Sequence, residues 1–244
     1  MGNRQALITG GTKGIGAAVA RRLVREGDQV LLTYSSDDEA ALATQRDLQE
    51  LNPDISVQIV RADATDLTSI DVLVDAVAAL QAPLDVLILN AGITDRSPFH
   101  EMELDAWRRV FDANVHFPTF LIQRLLPHFA DGASVVLTGS LMGIHPHSVS
   151  LSYGVTKATG HALVKNLVKF LSPRGIRINA VAPGFVDTEW QKTKPAEIRA
   201  SINSKIALGR FCDPDELADA YLTLIDNTYL NGEILTIDGG YSYR

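Results

Sequence analysis

Short apolar runs recur along the 244-residue chain, each followed by a longer segment in which apolar positions return every three or four residues. Runs of aliphatic and β-branched residues read as strands, and the amphipathic stretches between them as helices that cover those strands. The pattern predicts strands at Gln5-Thr9, Gln29-Thr33, Val57-Arg61, Val86-Asn90, Ser134-Thr138, Arg177-Ala182 and Ile234-Ile237. Such alternation defines a single-domain, doubly wound α/β fold: a parallel sheet of about seven strands with helices on both faces. No Pro/Gly/Ser-rich linker interrupts it, so one domain is expected over residues 1–244.

The first strand runs into Thr9-Gly10-Gly11-Thr12-Lys13-Gly14-Ile15-Gly16, and a helix is predicted over Ala17-Glu26. Glycines let the backbone turn tightly and approach a ligand, while the free N–H groups and positive dipole end of a helix favour an anion there. On the first strand of a doubly wound sheet, such a loop lies where dinucleotides bind. The second strand ends in Thr33-Tyr34-Ser35-Ser36, without the acid that would take the ribose hydroxyls of NAD. Ser36-Asp-Asp-Glu39 reads instead as a capping box for the next helix, which gives Asp37 and Asp38 a structural explanation.

A second constellation spans Ser140 to Lys157. Tyr153 and Lys157 stand four apart where an amphipathic helix begins, so their side chains leave one face about a turn from each other. A neighbouring ammonium favours a phenolate and brings tyrosine proton transfer closer to neutral pH. Ser140, just past the run Ala133-Ser-Val-Val-Leu-Thr138, is placed to hold the same substrate oxygen by a hydrogen bond.

A strand ending near a serine, a loop carrying Gly143 and Pro146, and a Tyr-x-x-x-Lys opening a helix together resemble the active-site segment of the short-chain dehydrogenase/reductase family. The glycine loop resembles that family's T-G-x-x-x-G-x-G form, and the likeness extends over residues 5–242. It implies a cofactor half over about residues 1–132 and a catalytic and substrate half over about 133–244. By the same resemblance Gly10, Thr12, Gly14, Ile15 and Gly16 approach the cofactor phosphates, and Lys13, with Tyr34, Ser35 and Ser36, meets a 2′-phosphate. This favours NADP(H) over NAD(H).

Asp63 then accepts from the adenine edge beside Ala64, whereas Asp66 reads as a turn or cap residue. Asn90-Ala91-Gly92 matches the N-A-G element, with Gly92 near the ribose and Asn90 pinning neighbouring strands. Pro183-Gly184-Phe185-Val186-Asp187-Thr188 matches the segment that meets the nicotinamide, Thr188 contacting its carboxamide. Asn114 lies in a helix expected over about Asp105-Phe129 and distorted near Pro118, and the resemblance implies that it links Lys157 to solvent through a water held on a free carbonyl. Ser140, Tyr153, Lys157 and Asn114 thus form the catalytic set.

The remaining signals bound the function. A net charge of −7 with scattered basic residues argues against nucleic acid, and no run approaches a membrane span. With a single cysteine, Cys212, these features lead to the expectation of a cytoplasmic protein. His145 and His147 have no carboxylate or cysteine at ligand spacing, so a substrate rim rather than a metal is expected there. Beyond Lys157, the residues Ala158, Ala162, Leu163, Leu167 and Leu171 form the face expected to pack on the sheet. Residues 189–204 form a candidate lid, and Asp213-Pro214-Asp-Glu216 opens a last helix ahead of the Asp238-Gly239-Gly240 element.

The chain most resembles bacterial 3-oxoacyl-acyl-carrier-protein reductases, which implies a homo-oligomer, tetramer or dimer, and an acyl carrier protein partner met at Arg174. The segment 126–132 lacks the basic cluster those enzymes often carry. Dehydrogenases of sugars, steroids or small alcohols use the same constellation, and an NADP-sensing regulator is the reading from another class.

Overall fold

The computed structural model describes residues 3–80, 82–146 and 149–243. Seven strands, β1 (Gln5–Thr9), β2 (Gln29–Tyr34), β3 (Val57–Arg61), β4 (Leu84–Leu89), β5 (Phe129–Thr138), β6 (Arg177–Pro183) and β7 (Ile234–Ile237), form one sheet. It has the order β3-β2-β1-β4-β5-β6-β7. Every pairing is parallel. The order reverses between β1 and β4, which opens a crevice at their carboxyl ends.

Successive residues of each strand feed opposite layers. Ile8, Leu32, Ile88 and Val136 pack with helices α1 (Gly14–Glu26), α2 (Asp38–Leu51) and the helix Pro214–Asp226, whereas Leu7, Leu31, Leu87 and Val135 pack on the other face. That second layer contains α3 (Ser69–Ala78), α4 (Leu104–Phe111), α5 (Phe117–Leu125) and α6 (Leu151–Leu171). Two short helices, α7 (Glu189–Lys192) and α8 (Ala196–Asn203), precede Pro214–Asp226, which is α9. Each aliphatic side chain buried in this way contributes about 1.5–3 kcal/mol, so the sheet is fixed well enough to position groups at its edge. No helix among the described residues is long and apolar enough to cross a membrane.

Three local expectations are corrected. The helix over Asp105-Phe129 is broken by a π-helical turn at Asp112–His116 and ends at Leu125, while Phe129 belongs to β5. Two prolines account for this, since Pro118 withholds the N–H that would bond the Asn114 carbonyl and Pro127 closes the helix. The cap of α2 is Asp37, which accepts from the Ala40 N–H at 3.0 Å, not Ser36. On α6, Ala158 and Ala162 are exposed, and the buried face carries Thr156, Lys157, Gly160, His161, Val164 and Leu171. Polar residues enter that face because it borders the site. At Asp213 the capping box with Glu216 is present in both directions.

Candidate active site

The glycine turn joins β1 to α1 within the crevice. Gly10 has φ +61° and Gly14 φ +52°, conformations that side chains resist. A Cβ on Gly16 would run into the Gly10 carbonyl, and one on Gly10 would come within 3.3 Å of the Ala91 Cα. No side chain caps α1 and no acid lies in its first turn, so its leading N–H groups remain available to an anion. Asn90 donates to the carbonyls of Thr9 (3.2 Å) and Gly10 (3.0 Å) and accepts from the Thr138 hydroxyl (3.2 Å), tying together the ends of β1, β4 and β5. The loop around Gly92 and the segment Gly184–Thr188 border the same crevice. A Cβ on Gly92 would meet Asn114 Oδ1 at 2.9 Å, and one on Gly14 would meet the Thr188 Cγ2 at 3.3 Å. Gly184 packs on Asp238, next to Pro183 at the end of β6 and the buried Val186.

At the end of β2, Lys13 forms an ion pair with Asp37, so that acid is both helix cap and counter-ion. Arg61 lies opposite Tyr34 in the β2–β3 register and donates through Nε to the Ser35 carbonyl at 2.9 Å. Lys13, Ser35, Ser36 and Arg61 are all exposed at this edge. Asp63 accepts through Oδ1 from the N–H and hydroxyl of Thr65, both at 2.9 Å, beside the buried Ala64. Asp66 holds Thr68 in the same manner, as its reading as a turn residue requires.

The catalytic candidates converge from three elements. Ser150 caps α6 and accepts from the Tyr153 N–H at 3.3 Å; its hydroxyl is bonded to the Asp95 carbonyl and receives Thr94 Oγ1 at 2.9 Å. The half-buried Tyr153 turns its hydroxyl toward Ser140, whose own hydroxyl accepts the Met142 N–H at 3.1 Å. Lys157 lies one turn further, with Nζ donating to the Thr138 carbonyl at 2.6 Å and 5.4 Å from the Tyr153 ring centre. Asn114 is buried: Oδ1 accepts from Ile93 N–H (2.9 Å), and Nδ2 donates to the Ile93 carbonyl (2.9 Å) and Thr156 Oγ1 (3.0 Å). Its main-chain carbonyl receives no N–H from the residue four further on, which is Pro118. A cavity of about 10 Å³ lies among Asn114, Thr138, Thr156 and Lys157, roughly the space one water centre occupies.

Electrostatics here differ from the sequence reading. Burial pushes the Tyr153 hydroxyl up to about 12, partly offset by the neighbouring Ser140 hydroxyl, rather than Lys157 drawing it down. Burial also pushes Lys157 down to about 8. Tyr153 therefore keeps its proton at neutral pH, and the ammonium is close to its own titration.

Four neighbours escaped the sequence reading. The imidazole of His161 lies behind Ser140, Thr156 bridges Asn114 to the Tyr153 carbonyl, Arg61 lies at the β2 edge, and the Trp190 ring stands 6.2 Å from Tyr153 in an edge-on arrangement. The spacing Tyr153, Lys157, His161 was a usable signal for His161, and Trp190 falls within the candidate lid of residues 189–204. The main-chain N–H of His145 donates to the Leu141 carbonyl at 2.8 Å, and His147 falls outside the described residues. Arg174, expected to face a carrier protein, bonds Asp131 at 3.0 Å and the carbonyls of Leu126 and Phe129.

Glycine turn, N-A-G loop and Ser–Tyr–Lys cluster occur together in one class of oxidoreductase, and the chain belongs to it: the short-chain dehydrogenase/reductase family. Residues 10–242 match the family model described as enoyl-(acyl carrier protein) reductase. The chain is similar to cis-4-hydroxycyclohexanecarboxylate dehydrogenase of Sinomonas cyclohexanicum, 34% identical over 98% of this chain and 96% of that protein. It is also similar to the 3-oxoacyl-[acyl-carrier-protein] reductase FabG of Aquifex aeolicus, at 30% identity over 96% of each. Among solved structures, a short-chain dehydrogenase from Burkholderia cenocepacia in complex with NADP superposes with TM-score 0.92 at 30% identity, covering 99% of this chain and 98% of that one. The Pseudomonas aeruginosa RhlG/NADP active-site complex gives 0.92 at 29%, covering 99% and 97%.

Proposed function

We propose that this protein is an NADP(H)-dependent carbonyl reductase, with a 3-oxoacyl group, presented on an acyl carrier protein, as the substrate. The observation that carries the reaction class is the convergence of the buried Ser140, the Tyr153 hydroxyl and the Lys157 ammonium at the carboxyl end of β5. Bound NADPH supplies the hydride. Ser140 holds the substrate oxygen, and Tyr153 releases its proton to that oxygen as charge develops there. Lys157 presents its ammonium to the nicotinamide ribose and stabilises the phenolate that Tyr153 becomes. A water on the Asn114 carbonyl, which Pro118 has no N–H to reach, returns a proton through the Lys157 side. Trp190, on the lid side of Tyr153, excludes solvent.

The glycine cradle and the uncapped α1 fit the pyrophosphate, with Thr12 and Ile15 lining the turn. Arg61 joins Lys13, Ser35 and Ser36 as the group that takes the 2′-phosphate, Tyr34 lying beside them. Asp63 and Ala64 hold the adenine; Ala91 and Gly92 the ribose; Pro183, Gly184, Val186 and Thr188 the nicotinamide. The two NADP-bound relatives support this reading. Leu104, Phe120 and Phe170, exposed on α4, α5 and α6, support a homo-oligomer joined through these helices.

A second reading is a dehydrogenase of a ring or sugar alcohol. It is favoured by Arg174, whose guanidinium is spent on Asp131 and two carbonyls instead of an acidic carrier. Initial rates of NADPH oxidation decide between them. A tyrosine-dependent rate with acetoacetyl-CoA, exceeding that with 4-oxocyclohexanecarboxylate, supports the acyl reductase, and the reverse order supports the second reading. NADPH binding without turnover of any carbonyl would instead support a sensor.

A further inference from the structure

We infer that His161 is a positioning residue, the acceptor that fixes the Ser140 turn against the catalytic helix. This rests on the reading of Ser140 as the hydroxyl that holds the substrate oxygen. His161 follows Tyr153 and Lys157 at successive four-residue steps, so all three leave the same side of α6. It is buried, and its Nε2 accepts the main-chain N–H of Ser140 at 3.3 Å. The preceding N–H, that of Gly139, donates to the Val181 carbonyl of β6 at 2.7 Å. Two consecutive amides are thereby held by the sheet and by the catalytic helix, which spans the serine between them.

The turn is shaped to the ring. A Cβ at Gly139 would collide with Nε2, and one at Gly143 would come within 2.8 Å of Cε1. A buried N–H that loses its acceptor bears the full desolvation cost of that group, so the turn would reorganise and take the Ser140 hydroxyl with it. Only an unprotonated nitrogen accepts, which places the ring proton on Nδ1. Burial, then the charges of Lys157 and Lys165, push the imidazole down to about 4, so the acceptor persists at neutral pH. The Gly139–Gly143 turn has no ionisable side chain, and on β6 Arg177 is committed to the carbonyls of Leu224, Ile225 and Leu230. No substrate atom needs to touch His161, and its effect runs through Ser140.

The test uses the full chain as His161→Gln, His161→Asn, His161→Leu, Ser140→Ala and the Leu/Ala double variant. Gln carries an oxygen at the reach of Nε2, and Asn does not. Two readouts are taken: hydrogen exchange of the Ser140 amide by 15N NMR, and kcat with NADPH and whichever carbonyl probe the wild type reduces faster. The expected result is a Ser140 amide protected in wild type and His161→Gln and exchanging at least about tenfold faster in His161→Asn and His161→Leu. In parallel, kcat falls roughly 10- to 100-fold in Asn and Leu with the Kd of NADPH within about twofold, while Gln retains most of it. Adding His161→Leu to Ser140→Ala should cost little more than Ser140→Ala alone. If His161→Leu does not fold, the Gln and Asn pair decides. Equal activity and protection in Gln and Asn, or multiplicative losses in the double variant, would overturn the inference while leaving an impaired Ser140→Ala to support the serine. Wild-type activity in Ser140→Ala would overturn the serine reading itself.

Discussion

The ammonium of Lys157 donates to the Thr138 carbonyl across 2.6 Å while lying 5.4 Å from the centre of the Tyr153 ring. A buried charge is thus joined to the end of β5 and to the tyrosine at once. Because burial lowers its pKa from 10.5 to about 8, the ammonium is present below about pH 8 and lost above it. If that charge holds the cofactor ribose, NADPH affinity is complete below about pH 8 and weakens as pH rises through it. Fluorescence titration should show Kd rising roughly tenfold between pH 7 and 9.5. Lys157→Met should show a flat profile and weaker binding throughout.

Arg61→Gln should raise the KM for NADPH about tenfold and leave that for NADH within about twofold, because only the 2′-phosphate calls on the guanidinium. Steady-state rates with the two cofactors check this. Equal losses with both would assign Arg61 to holding the Ser35 carbonyl alone.

Gly16→Ala should lower stability by about 2–3 kcal/mol, since its methyl has nowhere to go but the Gly10 carbonyl. The melting temperature should drop by roughly 5–10 °C, and NADPH should fail to restore it as it does for the wild type. Calorimetry with and without cofactor measures both.

Asn114→Leu leaves the half-buried Ile93 N–H and Ile93 carbonyl without their partner, which costs about 1–3 kcal/mol in all because water reaches part of that loop. Urea unfolding should show a midpoint shifted down. The proton relay should weaken too, so kcat falls at least about tenfold while Kd for NADPH changes little.

Much of this was legible in the chain because the governing forces are local. Seven apolar runs matched the seven strands found among the described residues, the inner ones apolar throughout because they are buried on both faces. Glycine spacing placed the turn between β1 and α1, because only glycine tolerates the φ values at Gly10 and Gly14. What escaped depended on burial or on contacts distant in sequence. The extension of β5 back to Phe129 runs through the turn-like Ala130-Asp-Gly132, which pairing with β4 overrides. On α6 the expected inward face holds at Leu167 and Leu171 but not at Ala158 and Ala162, because the site draws Lys157 and His161 inside against their polarity. The rise in the Tyr153 pKa reflects desolvation, which spacing does not report. Arg174 lies beside Asp131 only once β5 and the turn before β6 have folded together.

The central claim is that the Tyr153 hydroxyl delivers the proton to the substrate oxygen, and Tyr153→Phe tests it most directly. The measurement is kcat for NADPH oxidation with the faster carbonyl probe, alongside the Kd of NADPH. The account predicts a loss of two to four decades in kcat with cofactor binding within about twofold of wild type. A Tyr153→Phe enzyme that binds NADPH normally and retains its turnover would contradict it.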